Sequence, residues 1–378
     1  MKIVHLANEV HNVGNGIVNM MVDLACTQAQ AGHDVTIATS GGDFETLLER
    51  HGVRHVRLPQ SRSIAKLPSM IAGFNRLLAQ CDPDVVHAHM MTGALIARFG
   101  TLRRRYALIT TVHNEFQRSA SLMRFGDRVV AVSRAVADSM AKRGVPRERL
   151  AVVRNGTIGT PRFADLRQTS TSAVLPQLAH PAIVTVAGMY RRKGIQDLLR
   201  AFARLTGRFP DAVLYLVGNG PDRAEMEALA QALGIAARTR FTGFVANPRA
   251  HLAESDVFVL ASHREPGGLV LCEAREAGCA IVATRVDGNP EMLDDGEAGL
   301  LVPPANPEAL ADAIELLLTD RSARAALVSR ARHGIGTFHV RHVCDAYMAI
   351  YEQALEAVRP SGRGARPVTD VAADGAGR

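Results

Sequence analysis

Glu265 and Glu273 carry the clearest chemical spacing in this 378-residue chain. They bracket Pro266-Gly267-Gly268-Leu269-Val270-Leu271-Cys272, a glycine loop that follows an apolar run and opens a helical pattern. A helix N-terminus presents unpaired backbone N–H groups and the positive end of the helix dipole, so it seats anions. A carboxylate before the loop and a second inside the helix could bracket a polar ligand lying on it. The first would accept hydrogen bonds from sugar hydroxyls, the second from a ribose. On spacing alone, a surface turn with two solvated glutamates weighs the same. Arg191-Arg192-Lys193-Gly194 also precedes a helical pattern, at Ile195. Cations there oppose the helix dipole unless a strongly negative ligand, such as a diphosphate, sits between them. Fixed cations would also favour departure of a diphosphate that gains charge in the transition state. The bland reading is a solvated basic turn. His113 ends an apolar run, where it could contact a substrate hydroxyl; a structural histidine is the alternative. His87 and His89 flank Ala88, but no third ligand lies at metal-site spacing, so no metal is expected. Gly14-Asn15-Gly16 has two glycines of a dinucleotide fingerprint and Asn19 in place of the third, which argues against NAD.

These residues need elements that bring them together. Short apolar runs alternate with helical patterns from Lys2 to Val153. Strands are expected near Lys2–Ala7, Val35–Thr39, Val53–Leu58, Asp84–Ala88, Leu108–His113, Arg128–Val132 and Leu150–Val153. Residues 161–181 break the rhythm and read as a linker. The alternation restarts at Ile183–Ala187 and runs to Pro307–Leu318. Doubly apolar strands separated by helices imply parallel sheets covered on both faces. The expected organisation is therefore α/β: an N-terminal Rossmann-like domain (1–160), the linker, and a second such domain (182–338). A C-terminal helix (339–358) and a disordered tail (359–378) complete it. Ligands of open parallel sheets bind at the carboxyl ends of the strands, so the cleft between the domains is the expected site.

Hydrophobic residues make up 47% and charged residues 21%, enough for two cores and too apolar for a disordered chain. No apolar run reaches the ~18 residues of a membrane span, and the first residues do not read as a signal peptide. Five scattered cysteines without a C-x-x-C pair read as reduced thiols. Residues 1–170 hold 22 Lys+Arg against 13 Asp+Glu, a net of +9, while the remainder carries −2. Arg98, Arg103, Arg104, Arg105, Arg118, Arg124, Arg128 and Arg134 make the first half suited to phosphates or an acidic membrane. An apolar stripe at Leu67, Met70, Ile71, Phe74, Leu77 and Leu78 could be a membrane-facing surface or, more simply, core. With aromatics at 4% and no Trp, stacking platforms are scarce and nucleic acid is not expected.

Taken in order, the motifs resemble those of the retaining glycosyltransferases of family 4 (group 1), which have the GT-B two-domain fold. Glu265 to Glu273 is similar to that family's Glu-x7-Glu motif. Asp84-Val85-Val86-His87-Ala88-His89, Thr111-Val112-His113, Val130-Ala131-Val132-Ser133, Lys193-Gly194, Gly218-Asn219-Gly220-Pro221 and Gly288-Asn289-Pro290-Glu291 support it. The resemblance covers about residues 1–355. It implies that Glu265 binds donor-sugar hydroxyls, Glu273 holds the ribose, and Gly268, Leu269, Lys193 and Arg192 bind the diphosphate. Gly16 would let the first loop approach the phosphates, and His113 would lie beside donor sugar and acceptor. No metal or other cofactor is implied. The donor would be a UDP-, GDP- or ADP-sugar. Retention would proceed by front-face attack, the leaving phosphate oxygen helping to remove the acceptor's proton.

The pattern departs from the family's at four places, one of them Asn155-Gly156-Thr157-Ile158 in place of the usual Asn-Gly-Val-Asp. Met189 stands where an arginine usually follows glycine, so Arg191 or Arg192 would substitute. Asn15 and Val18 stand in the first loop, without its usual carboxylate. Gly267 stands where an aromatic is usual. The expected activity is transfer of a hexose from a nucleotide-diphosphate sugar to a glycan or lipid-linked acceptor in cell-surface polysaccharide or glycolipid biosynthesis. The expected place is the cytoplasm, at the inner face of the cytoplasmic membrane. Alternatives are a non-catalytic sugar-nucleotide-binding subunit and a sugar-nucleotide 2-epimerase. The latter needs an acid/base cluster that the sequence does not show beyond Glu265.

Overall fold

The computed structural model describes residues 1–61, 63–102, 104–163 and 177–358. Most of the expected linker 161–181, the expected disordered tail 359–378 and Arg103 lie outside the described residues.

Seven parallel strands form the first sheet: β1 (Lys2–Leu6), β2 (Asp34–Thr39), β3 (Arg54–Arg57), β4 (Val85–Ala88), β5 (Ala107–Val112), β6 (Arg128–Ala131) and β7 (Leu150–Val152). Their order is β3-β2-β1-β4-β5-β6-β7. Six more form the second: β8 (Ala182–Val186), β9 (Val213–Val217), β10 (Thr239–Gly243), β11 (Val257–Leu260), β12 (Ala280–Thr284) and β13 (Leu300–Val302). Their order is β10-β9-β8-β11-β12-β13. Both are doubly wound, with helices covering both faces. In each sheet the order reverses once, between β1 and β4 in the first and between β8 and β11 in the second. A crevice opens at such a switch point because the crossing helices leave it in opposite directions.

The strands expected from apolar runs are present, with ends shifted by a residue or two. The sequence reading missed the helices Glu45–Arg50 and Arg321–Arg332. Half of Arg321–Arg332 is Arg or Ser, and it buries only Leu327 and Ala331, so it shows little apolar stripe. In helix Leu67–Cys81, Met70, Phe74 and Leu77 are buried in a core of the first sheet with Leu78 packed beside them, so most of its apolar stripe is core, while Leu67 is exposed. The last helix, Val340–Val358, inserts Val343, Cys344, Tyr347, Ile350, Tyr351 and Ala354 into the core of the first sheet. All five cysteines are buried, and none forms a disulfide. No helix among the described residues is long and apolar enough to cross a membrane.

Candidate active site

The loops leaving β8 and β11 lie side by side at the second switch point. After β8, Arg191–Lys193 make a single 3-10 turn, and Gly194 (φ 65°) starts helix Ile195–Leu205. Only glycine fits there: a Cβ would lie 1.9 Å from the carbonyl oxygen of Ala261, in the neighbouring loop. The His263 N–H donates to the Arg192 carbonyl at 2.8 Å, which ties the loops together again. The Lys193 ammonium then reaches Glu265 Oε2 at 2.5 Å, and the Ser262 hydroxyl donates to the same oxygen at 3.0 Å.

The three cations of the first loop have different surroundings. Arg191 is tied by its backbone to Asp222 and by its guanidinium to Glu225, both at the start of the next helical segment. Arg192 instead lies over the rings of Phe116 and Tyr190, 5.0 and 5.1 Å away. Phe116 belongs to the first domain, so Arg192 and Lys193 are the pair held toward the cleft. Met189, in the position of the family's usual arginine, is 1% exposed and part of the second core.

Helix Leu269–Ala277 begins at Gly268, and no side chain caps it. Glu273 lies in its second turn. It is buried. Burial pushes its pKa up, while the charges of Arg162 and Arg249 pull it down.

First-domain residues close over these loops. Arg264 pairs with Glu115 at 2.6 Å and with Asp287 at 2.9 Å, and its guanidinium also lies over Phe116. Asn155 donates to the Gly267 carbonyl at 2.8 Å. A Cβ on Gly267 would meet Asn155 Nδ2 and Val132 Cγ2 at 3.1 Å each. A side chain at 267, where the family usually has an aromatic, would therefore need Asn155 or Val132 to shift by a few tenths of an ångström. Gly16 approaches from the first switch point; a Cβ on it would lie 3.2 Å from Leu269 Cδ1. Asn15 caps the helix Gly16–Gln30 by accepting from the Ile17 N–H, and Val18 is buried in the first core.

His113, just beyond β5, lines a cavity of about 150 Å³ with Asn8, Ile17, His89, Met91 and Gln117. Desolvation lowers its pKa to about 3, so it is neutral at pH 7. Behind it, the register of β1 on β4 sets His5 opposite His87. His5, His87 and His89 have ring nitrogens within 4.8 Å of one another, close enough to share an ion. Protein hydrogen bonds engage both nitrogens of each ring, so an ion would have to displace them. The sequence reading found no third partner for His87 and His89; the fold supplies His5. The visible signal was one polar residue inside Ile3-Val4-His5-Leu6. Glu115 and Phe116 carried no signal in the sequence, because only the closing of two domains brings them to these loops.

Two parallel-sheet domains facing across a cleft in this way form the GT-B architecture. The family model for group 1 glycosyl transferases matches residues 171–334, and that for glycosyltransferase family 4 matches residues 14–157. Together they take in most of the chain, which belongs to this glycosyltransferase family. The chain is 34% identical over 233 residues to LpsE, a lipopolysaccharide core biosynthesis glycosyltransferase of Rhizobium meliloti, an alignment covering 61% of this chain and 65% of LpsE. It is 27% identical over 354 residues to a phosphatidyl-myo-inositol mannosyltransferase of Mycolicibacterium smegmatis, covering 90% and 91% of the two chains. Among solved structures it is similar to Anabaena Alr3699/HepE in complex with UDP-glucose, with a TM-score of 0.78 and 22% identity over 93% of this chain and all of that one.

Proposed function

We propose that the protein is a retaining glycosyltransferase that moves a hexose from a nucleoside diphosphate sugar to a glycan or lipid-linked acceptor. One observation carries the reading. At the second switch point an uncapped helix N-terminus, Arg192 and Lys193 converge beside Glu265, opposite the His113 cavity. The diphosphate binds the helix end and the two cations, and Lys193 exchanges its bond to Glu265 for one to phosphate. Glu265 then binds donor-sugar hydroxyls, and the buried carboxylate of Glu273 accepts from ribose. The acceptor enters the His113 cavity and attacks from the face the diphosphate leaves. Two fixed cations and a helix dipole supply the charge a departing diphosphate needs, so the reaction proceeds without a metal. The LpsE and mannosyltransferase relatives point to lipopolysaccharide or glycolipid assembly as the setting. Nothing in the site favours a non-catalytic subunit or an epimerase.

The membrane part of the proposal rests on the far end of the first domain. Phe99 (63% exposed) and Leu102 (fully exposed) stand beside the exposed Arg98 and Arg105. Such a patch suits an acidic lipid surface. Absence of binding to anionic liposomes at low salt would remove it.

The donor site is tested by thermal denaturation with UDP, GDP, ADP and their sugar conjugates, each with magnesium and with EDTA. A ligand at ~100 times its Kd stabilises by about 2.7 kcal/mol. A selective shift that EDTA leaves intact supports the proposal and names the donor class. No shift with any of them sinks the donor site. Product analysis by NMR then reads the anomeric configuration.

A further inference from the structure

The histidines behind the cavity form a hydrogen-bonded chain with a definite direction. It starts at Gln28 on the helix Gly16–Gln30. Gln28 Oε1 lies 2.8 Å from His5 Nε2. His5 Nδ1 lies 3.0 Å from His89 Nε2, and His89 Nδ1 lies 3.1 Å from His113 Nε2. All three rings are kept neutral by burial: His5 is pushed down to about 4, His113 to about 3, and His89 well below its ordinary value.

A neutral imidazole has one donor and one acceptor nitrogen, and an amide oxygen only accepts. So His5 donates from Nε2 and accepts at Nδ1. His89 must then donate from Nε2 and accept at Nδ1. His113 must donate from Nε2 as well, which leaves its Nδ1 bare. One amide thereby sets the tautomer of a ring three hydrogen bonds away.

The last helix sets the amide. Gln28 Nε2 lies 3.4 Å from the Tyr351 hydroxyl and 3.7 Å from Met348 Sδ. A thioether only accepts, so the amide N–H groups face it and Oε1 faces His5. The Tyr351 hydroxyl, accepting from Gln28, donates to His87 Nδ1 at 2.7 Å. His87 Nε2 then donates to Thr111 Oγ1, also at 2.7 Å. Turning the amide over would reverse the chain and put a proton on His113 Nδ1.

We propose that Gln28, His5 and His89 are positioning residues, oriented by Met348 and Tyr351, that hold His113 as its Nε2–H tautomer and present bare Nδ1 to the cavity. An uncharged acceptor nitrogen at that place selects a ligand hydroxyl and disfavours a phosphate or carboxylate. The identity of the ligand rests on the transferase reading above; the tautomer does not.

The test uses the full chain with 15N-labelled histidine. Long-range 1H–15N spectra distinguish protonated from unprotonated ring nitrogens, and His113→Gln identifies the His113 signals. At pH 7 the expected pattern for His113 is protonated Nε2 and bare Nδ1. Gln28→Met removes all three amide contacts at similar volume, while Tyr351→Phe leaves the His5 and Met348 contacts and removes the tyrosine hydroxyl, with its bond to His87. Both should move the His113 nitrogens toward a mixture of tautomers, Gln28→Met more. A His113 proton on Nδ1 in the parent protein, or His113 shifts that Gln28→Met leaves unchanged in a folded protein, overturns the proposal. So does one equivalent of metal bound in a way that needs His5, His87 and His89. Where a donor has been found, Gln28→Met should lower kcat about tenfold while the donor KM stays within twofold. Failure to find any donor would count against the transferase reading and leave the spectra to decide the tautomer.

Discussion

Replacing Asp23 by alanine should damage stability far more than replacing it together with its partner. Asp23 lies on the first helix and is 1% exposed; Arg162, on the segment leaving the first domain, is 5% exposed at its side chain. The guanidinium binds both carboxylate oxygens, at 2.8 and 2.9 Å, and the Thr160 hydroxyl donates to one of them. The pair is dry, so Asp23→Ala strands a buried cation. Breaking a buried pair from one side costs about 3–5 kcal/mol, whereas replacing both members by apolar groups is often neutral. Arg162→Met in the Asp23→Ala background should therefore recover most of the loss. The coupling energy of the cycle should be about 3 kcal/mol or more, well above the ~0.5 kcal/mol expected of independent sites. The assay is urea denaturation of the four proteins, followed by circular dichroism and protease susceptibility. An Asp23→Ala cost below about 1 kcal/mol, or a double variant no better than the worse single one, would refute the reasoning. The same cycle bears on the site, because Arg162 also acts electrostatically on Glu273.

Three further outcomes are expected. Lys193→Met should lower kcat by about 10²–10³-fold and weaken nucleoside diphosphate binding, because it removes a fixed charge from the leaving group; kinetics and calorimetry check both. Gly267→Ala should destabilise by about 1 kcal/mol and Gly267→Phe by more, since Asn155 and Val132 must move, and a thermal upshift for the phenylalanine would contradict that. Stability should fall as the pH drops below 6.5. His5 has its folded pKa lowered from 6.5 to about 4, so the unfolded chain binds the proton first and the loss grows across that window. At ~1.4 kcal/mol per pKa unit, His5 alone accounts for about 3 kcal/mol, measurable as a difference in urea midpoints between pH 7 and pH 4.5.

The sequence by itself determined the architecture. Doubly apolar runs such as Val257–Leu260 and Ala107–Val112 can be satisfied only where both faces are covered, and the helices between them force parallel pairing. It also showed the two loops of the second switch point, because Glu265 and Glu273 or Lys193 and Gly194 lie close together along the chain. Their proposed roles rest on the family resemblance and on a helix N-terminus, which is a local property of the backbone. Several things were left to the tertiary structure. Which of Arg191 and Arg192 faces the cleft depends on Phe116, 75 or more positions away in the chain and in the other domain. The room for a side chain at 267 is limited by Val132 and Asn155, which come close to it only once the domains meet. The chain from Gln28 to His113 needs β1, β4 and β5, the first helix and the last one together. Hydrogen bonds between residues 23 to 323 positions apart leave no periodicity in a sequence, because their geometry is set by packing rather than by neighbours along the chain.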